Sequence, residues 1–190
     1  MKKPTRYDNL ILEVEKRKPK SIMEIGTWNG VHAAKMFSEA KKHNDNVIYY
    51  GFDLFEGRND KINREEHNVK QIYNKNTVES HLKNEKVTYA LFQGFSRDTV
   101  PEFIPDMPID FLYIDGGHSI QTIFDDWNNC QRLINKDTVV IFDDYYHHRS
   151  DTGCNEVIDS IDKTKYNVEF LEPVDFIDEQ EIQFVKVTCK

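Results

Sequence analysis

Asp115, Asp143 and Asp144 are the residues whose type and placing most invite chemistry. Asp115 ends the apolar run Phe111-Leu112-Tyr113-Ile114 and opens Asp115-Gly116-Gly117-His118. Asp143 and Asp144 end a second run, Val139-Val140-Ile141-Phe142. Both runs read as strands, and strands that are neighbours in a sheet place their ends ~5 Å apart. Three converging carboxylates are unfavourable while all are charged, so protonation or a cation must relieve them. Hard oxygen donors suit Mg²⁺, Mn²⁺ or Ca²⁺ rather than Zn²⁺. A plainer reading leaves Asp115 capping the next helix and Asp144 in solvent. Histidine is the side chain suited to proton transfer near neutrality, so His118, three residues beyond Asp115, can accept a proton from a hydroxyl. It can also stand at a helix start with no chemical part.

A second group gathers around a glycine turn. Glu24-Ile25-Gly26-Thr27-Trp28-Asn29-Gly30 follows a strand and opens a helix. Gly26 permits a tight turn and close approach of a ligand to the backbone, while Gly30 lets the helix pack closely. The spacing is not GxGxxG, which argues against a pyrophosphate. Asp53 ends the next strand, 27 residues after Gly26. An acidic side chain there can accept both hydroxyls of a ribose.

The elements that must position these residues alternate strand and helix, the pattern of a mainly parallel sheet covered on both faces. Tyr7, Leu10, Ile11 and Val14 predict a first helix within residues 1–18. Strands are expected at 21–25, 47–52, 87–92, 111–114 and 139–142. Ala33, Phe37 and Ala40 mark a helix after the first. The run from Ile120 through Trp127 to Ile134 marks another, and Cys154, Val157, Ile158 and Ile161 a later one. Tyr166 to Phe170 and Ile182 to Val187 read as strands joined by an acidic stretch without a helix, hence an antiparallel pair. Residues 58–75, rich in Asn, Lys and Glu, read as a surface insertion or a lid.

With these motifs the chain resembles the class I S-adenosylmethionine-dependent methyltransferases. Glu24-x-Gly26-x-x-x-Gly30 is similar to their first motif, Asp53 to their second, and Gln93-Gly94-Phe95-Ser96 to their adenine-side loop. Asp53-Leu54-Phe55-Glu56-Gly57 resembles the run in macrocin-type O-methyltransferases, which modify sugars. The resemblance spans roughly residues 20 to 188. It implies a Rossmann-like α/β fold, doubly wound, with a mostly parallel seven-stranded sheet and an antiparallel C-terminal pair. It also implies cofactor contacts from Glu24, Gly26, Thr27, Gly30, Asp53, Leu54, Gly94, Phe95, Ser96 and Asp115. Asp115, Asp143 and Asp144 become ligands of Mg²⁺ or a similar ion, and His118 the general base. Other relatives carry a further acid where Gly117 stands; its absence here departs from their version of the mechanism and moves weight onto His118.

Composition bounds the alternatives. A formal charge of −8 argues against nucleic acid as the main partner. No apolar run approaches the ~20 residues of a membrane span, and the opening Met1-Lys2-Lys3-Pro4 is not a secretory leader. Cys130, Cys154 and Cys189 are odd in number and lack metal-binding spacing, so a reducing cytoplasm is expected. The expectation is therefore a single-domain enzyme methylating a hydroxyl of a small acceptor such as a sugar, with Tyr145, Tyr146, His147, His148 and Arg149 at the acceptor rim. Trp28 reads as core or cofactor wall. A chain this short suits a small acceptor or a homo-oligomer. A metal-free N-methyltransferase and a non-catalytic cofactor-binding subunit remain as other readings.

Overall fold

The computed structural model describes residues 4–177 and 180–190. The start of the expected first helix (residues 1–3) and the middle of the acidic connection (178–179) lie outside them. Seven strands form one sheet: β1 (Ser21–Ile25), β2 (Ile48–Asp53), β3 (Thr88–Gln93), β4 (Phe111–Ile114), β5 (Val139–Tyr146), β6 (Tyr166–Ile177) and β7 (Gln180–Cys189). Their order is β3-β2-β1-β4-β5-β7-β6. The first five are parallel, and β7 is antiparallel to both β5 and β6. The expected doubly wound sheet with an antiparallel C-terminal pair is therefore present.

Alternation along the strands sorts side chains onto two cores. Met23, Ile25, Leu112, Ile114, Val140 and Phe142 meet the residues of α5 (Ser96–Glu102), α6 (Ile120–Cys130) and α7 (Asn155–Ser160) on one face. Ile22, Phe111, Tyr113 and Ile141 meet α1 (Arg6–Arg17), α2 (Val31–Lys41) and α4 (Lys75–Asn84) on the other. Asp143 follows Phe142 and so falls on the α1 side, in the same stripe as Tyr113.

Three elements depart from expectation. The helix through Trp127 ends at Cys130 and tightens into a 3₁₀ turn over Gln131–Leu133, so Ile134 lies beyond it. Strand β5 continues past Phe142 to Tyr146, with a register shift against β7 between Phe142 and Tyr145. Residues 58–75 are neither loop nor full helix: α3 (Asp60–Glu65) comes first, and the irregular stretch after it runs to Asn74, which caps α4. Only Val78 and Leu82 of α4 are buried, too few apolar positions for the helix to stand out from the sequence.

Candidate active site

The first glycine turn has no room for another residue. Gly26 has φ +90°, and a Cβ there would come 1.9 Å from the carbonyl oxygen of Asp115. Two parallel-sheet continuations hold the turn: Gly26 N–H donates to Phe52 O, and Asp115 N–H to Ile25 O, each at 2.8 Å. This crossing brings the ends of β1, β2 and β4 to one edge, where a doubly wound sheet binds ligands.

Asp53 is fixed as a three-way acceptor. Trp28 N–H donates to Oδ2 at 2.9 Å, Thr27 Oγ1 lies 3.3 Å from the same oxygen, and Phe55 N–H donates to Oδ1 at 2.8 Å. The carboxylate still lines a cleft, together with Gly26, Leu54, Gly94, Phe95 and Ser96. Asp115 lines it too. Glu24, Thr27 and Gly30 sit behind the wall instead. Glu24 is buried with the Tyr49 hydroxyl on its carboxyl, and burial pushes that carboxyl up to about 8. Gly30 adopts φ +79° at the start of α2, packed against Val78 of α4. Trp28 stands on the cleft wall and donates from Nε1 to Gln71 O at 2.9 Å.

The carboxylates at the ends of β4 and β5 do meet, but they divide into two sets. Asp143 turns toward α1, where Arg6 Nε donates to its Oδ1 at 2.9 Å. The Tyr113 hydroxyl is 3.0 Å from Oδ2, and Asp144 N–H donates to Oδ1 at 2.7 Å. Burial pushes the Asp143 carboxyl up, but the charge and hydrogen bond of Arg6 outweigh it and hold the group below its ordinary value. The other set is Asp115, His118 and Asp144, whose nearest ligand-type atoms all lie within 4.8 Å of one another. Burial drives Asp115 up to about 8, with the charge of Lys70 pulling it down and Asp143 and Asp144 adding to the rise. Burial likewise raises Asp144, and Asp143 beside it adds to this.

His118 is the decisive member. Its Nε2 lies 3.2 Å from Asp144 Oδ2 but off the line of a hydrogen bond, leaving a buried nitrogen without a hydrogen-bond partner. Its backbone is clamped from two sides. Thr152 Oγ1 and Gly153 N–H donate to its carbonyl, and its own N–H donates to Glu66 O at 3.3 Å. Asp144 has φ +62°, a left-handed backbone uncommon outside glycine and costly to hold. That turn aims its carboxylate away from Asp143 and toward His118. Of the expected rim, Tyr146 reaches the cluster, its hydroxyl 3.2 Å from Asp144 Oδ1. His147 pairs with Gln183, His148 with Glu181 and Arg149 with Asp151.

Three site residues lay outside the sequence expectations: Arg6, Glu66 and Lys70. Glu66 accepts from Ser119 N–H at 3.2 Å and from Thr122 Oγ1 at 2.8 Å, tying residues 58–74 to the start of α6. Lys70 Nζ lies 3.3 Å from Asp115 Oδ1. Neither pairing leaves a trace in local spacing.

A sequence profile of the family described as "Methyltransferase domain" matches residues 23–145, from the first strand through the end of the carboxylate cluster. The chain belongs to this methyltransferase family. A mimivirus relative, the uncharacterized protein R132 of Acanthamoeba polyphaga mimivirus, is 28% identical over 153 residues, covering 77% of this chain and 63% of its own length. The chain thus spans under two thirds of that relative. Solved methyltransferase structures share the fold at low identity. The O-methyltransferase TomG of Streptomyces achromogenes, in complex with SAM, is 14% identical with a TM-score of 0.71, covering all of this chain and 82% of that one. The O-methyltransferase of Bacillus cereus, in complex with SAH, is 15% identical at 0.68, covering all of this chain and 83% of that one. A putative rRNA methylase from Clostridium thermocellum is 14% identical at 0.67, with 99% and 98% covered. These structures share the seven-stranded fold seen here, in keeping with the family match. No helix among the described residues is long and apolar enough to cross a membrane.

Proposed function

We propose that the protein transfers the methyl group of S-adenosylmethionine to a hydroxyl of a small, polar acceptor such as a sugar, with a divalent cation held by Asp115, Asp144 and His118. The observation that carries this reading is the buried Nε2 of His118, which makes no hydrogen bond and faces the carboxylates of Asp144 and Asp115 beside the cleft that Asp53 and Gly26 line. Two carboxylates and one imidazole suit a divalent ion, which when bound supplies the positive charge that acidifies a nearby hydroxyl. The residues of the chain do the remaining work. Asp53 receives the ribose hydroxyls, and Gly94, Phe95 and Ser96 form the adenine side. Gly26 lets the cofactor's amino-acid end lie against the backbone. Tyr146, its hydroxyl on Asp144, borders the acceptor side. Because the sulfonium is already activated, alignment and deprotonation are what the protein must provide.

The Lys70 ammonium on Asp115 favours a second reading. In it the transfer needs no metal, Asp144 orients the His118 imidazole, and Nε2 removes the acceptor's proton as the expected general base. Methylation of a panel of sugars and phenols, with Mg²⁺ and with EDTA, separates the two. Loss of turnover in EDTA, restored by Mg²⁺, is the expected result. Turnover that ignores EDTA yet vanishes in His118→Ala establishes the second reading. Absence of S-adenosylmethionine binding by calorimetry overturns both.

A further inference from the structure

Lys70 meets the carboxylate cluster at one of its members, Asp115. Its Nζ lies 3.3 Å from Asp115 Oδ1, and Asp115 is shared with the group whose ligand atoms lie within 4.8 Å of one another. The placement is held from the backbone. Arg58 Nη2 donates to the carbonyls of both Lys70 and Gln71 at 2.7 Å, and Trp28 Nε1 donates to that of Gln71. The ammonium also stands 5.8 Å from the centroid of the Trp28 ring. Residues 67–73 form no helix or strand and run between two fixed points, Glu66, which follows α3 and is hydrogen-bonded to the start of α6, and the Asn74 cap of α4.

Charge balance makes this arrangement exchangeable. With Asp115, Asp143 and Asp144 all ionised, as a bound divalent ion would hold them, and His118 neutral, Arg6 balances Asp143 and Lys70 balances Asp115, which leaves the charge of Asp144. A divalent ion in place of Lys70 brings the cluster to neutrality. Both together would leave it positive, with an ammonium pressed against the ion at the same carboxylate. Like charges so close in a water-poor site repel strongly.

We propose that Lys70 and a divalent cation are alternative occupants of the Asp115 cluster, so that loading the cation expels Lys70 and frees residues 67–73 from the cleft. This rests on the metal reading above. In the metal-free state the strap closes over the cleft with its own cation as plug. In the loaded state the plug is out and the acceptor side opens next to the cofactor.

Mn²⁺ titration followed by the electron paramagnetic resonance of the free ion tests the exclusion directly. Wild type, Lys70→Gln, Lys70→Arg and Asp144→Asn are compared in the full chain. Lys70→Gln should bind Mn²⁺ at least tenfold more tightly than wild type, Lys70→Arg about as wild type, and Asp144→Asn at least tenfold more weakly. Mg²⁺ should also shift the emission of Trp28 in wild type and less so in Lys70→Gln, read in a Trp127→Phe background. If Asp144→Asn loses Mn²⁺ while Lys70→Gln binds it no better than wild type, the metal site stands and the exclusion falls. If no variant binds Mn²⁺, the metal reading falls first and the exclusion with it.

Discussion

Arg6 on the first helix and Asp143 at the end of the fifth strand, 137 residues apart in the chain, form a buried ion pair with Nε 2.9 Å from Oδ1. The pair settles which carboxylates face the cleft. With Asp143 held toward α1, Asp144 is left to turn to His118 through its left-handed backbone. Removing one partner leaves the other charged and buried. Arg6→Met should therefore lower unfolding free energy by about 3–5 kcal/mol, measured by urea denaturation. Adding Asp143→Asn to Arg6→Met should recover part of that loss. No recovery would mean that Arg6 acts through packing rather than charge, its guanidinium carbon lying 4.5 Å from the Tyr7 ring centroid and 5.6 Å from that of Phe184.

Asp53 and the cofactor give a second test. With both oxygens already oriented by backbone donors, the side chain should contribute hydrogen bonds to the ribose worth about 1.5–3 kcal/mol. Asp53→Ala should then weaken S-adenosylmethionine binding roughly tenfold to a hundredfold in a calorimetric titration. Unchanged affinity would move the ribose elsewhere in the cleft.

Gly26 tolerates nothing larger. Gly26→Ala combines positive φ with a Cβ driven into the Asp115 carbonyl, so stability should fall by more than about 1 kcal/mol. Cofactor binding should fall with it, because relief of the clash separates the ends of β1 and β4. A variant that melts and binds like wild type would show the turn to be looser than its hydrogen bonds imply.

Stability should respond to pH through Asp126, a fully buried carboxyl on α6 beside Gly116. Burial pushes it up to about 7, against a smaller pull from the Ser96 hydroxyl. A carboxyl raised in the folded state favours folding while protonated. That stabilisation is complete below its unfolded value near 3.8 and is lost as pH rises toward about 7. Asp126→Asn should thus melt higher than wild type at pH 8 and show no such gain at pH 4. Each kcal/mol gained raises the midpoint by about 2–4 °C in a domain of this size. Asp143, lowered by Arg6, works in the opposite sense and is lost only in acid, below its ordinary value near 3.8.

The cleft side of the site was legible because local rules decide it. A strand, a Gly26 turn and a helix must follow one another in that order, and Asp53 ends the next strand two side-chain periods after Tyr49. The points where the apolar runs 111–114 and 139–142 stop also marked which residues reach the sheet edge, so Asp115, Asp143 and Asp144 were expected together. Their division was not legible. Whether a carboxylate faces a cation site or a guanidinium depends on which of the chain's many Lys and Arg residues arrives beside it.

What the sequence by itself determined is the order of strands and turns and the identity of the acids at their ends, since periodicity and glycine geometry act over a few neighbouring residues. Only the tertiary structure decided the pairings of Arg6 with Asp143, Lys70 with Asp115 and Glu66 with Ser119. Those partners come from elements distant in the chain, and buried charge selects its neighbour by proximity in space, which no local spacing records.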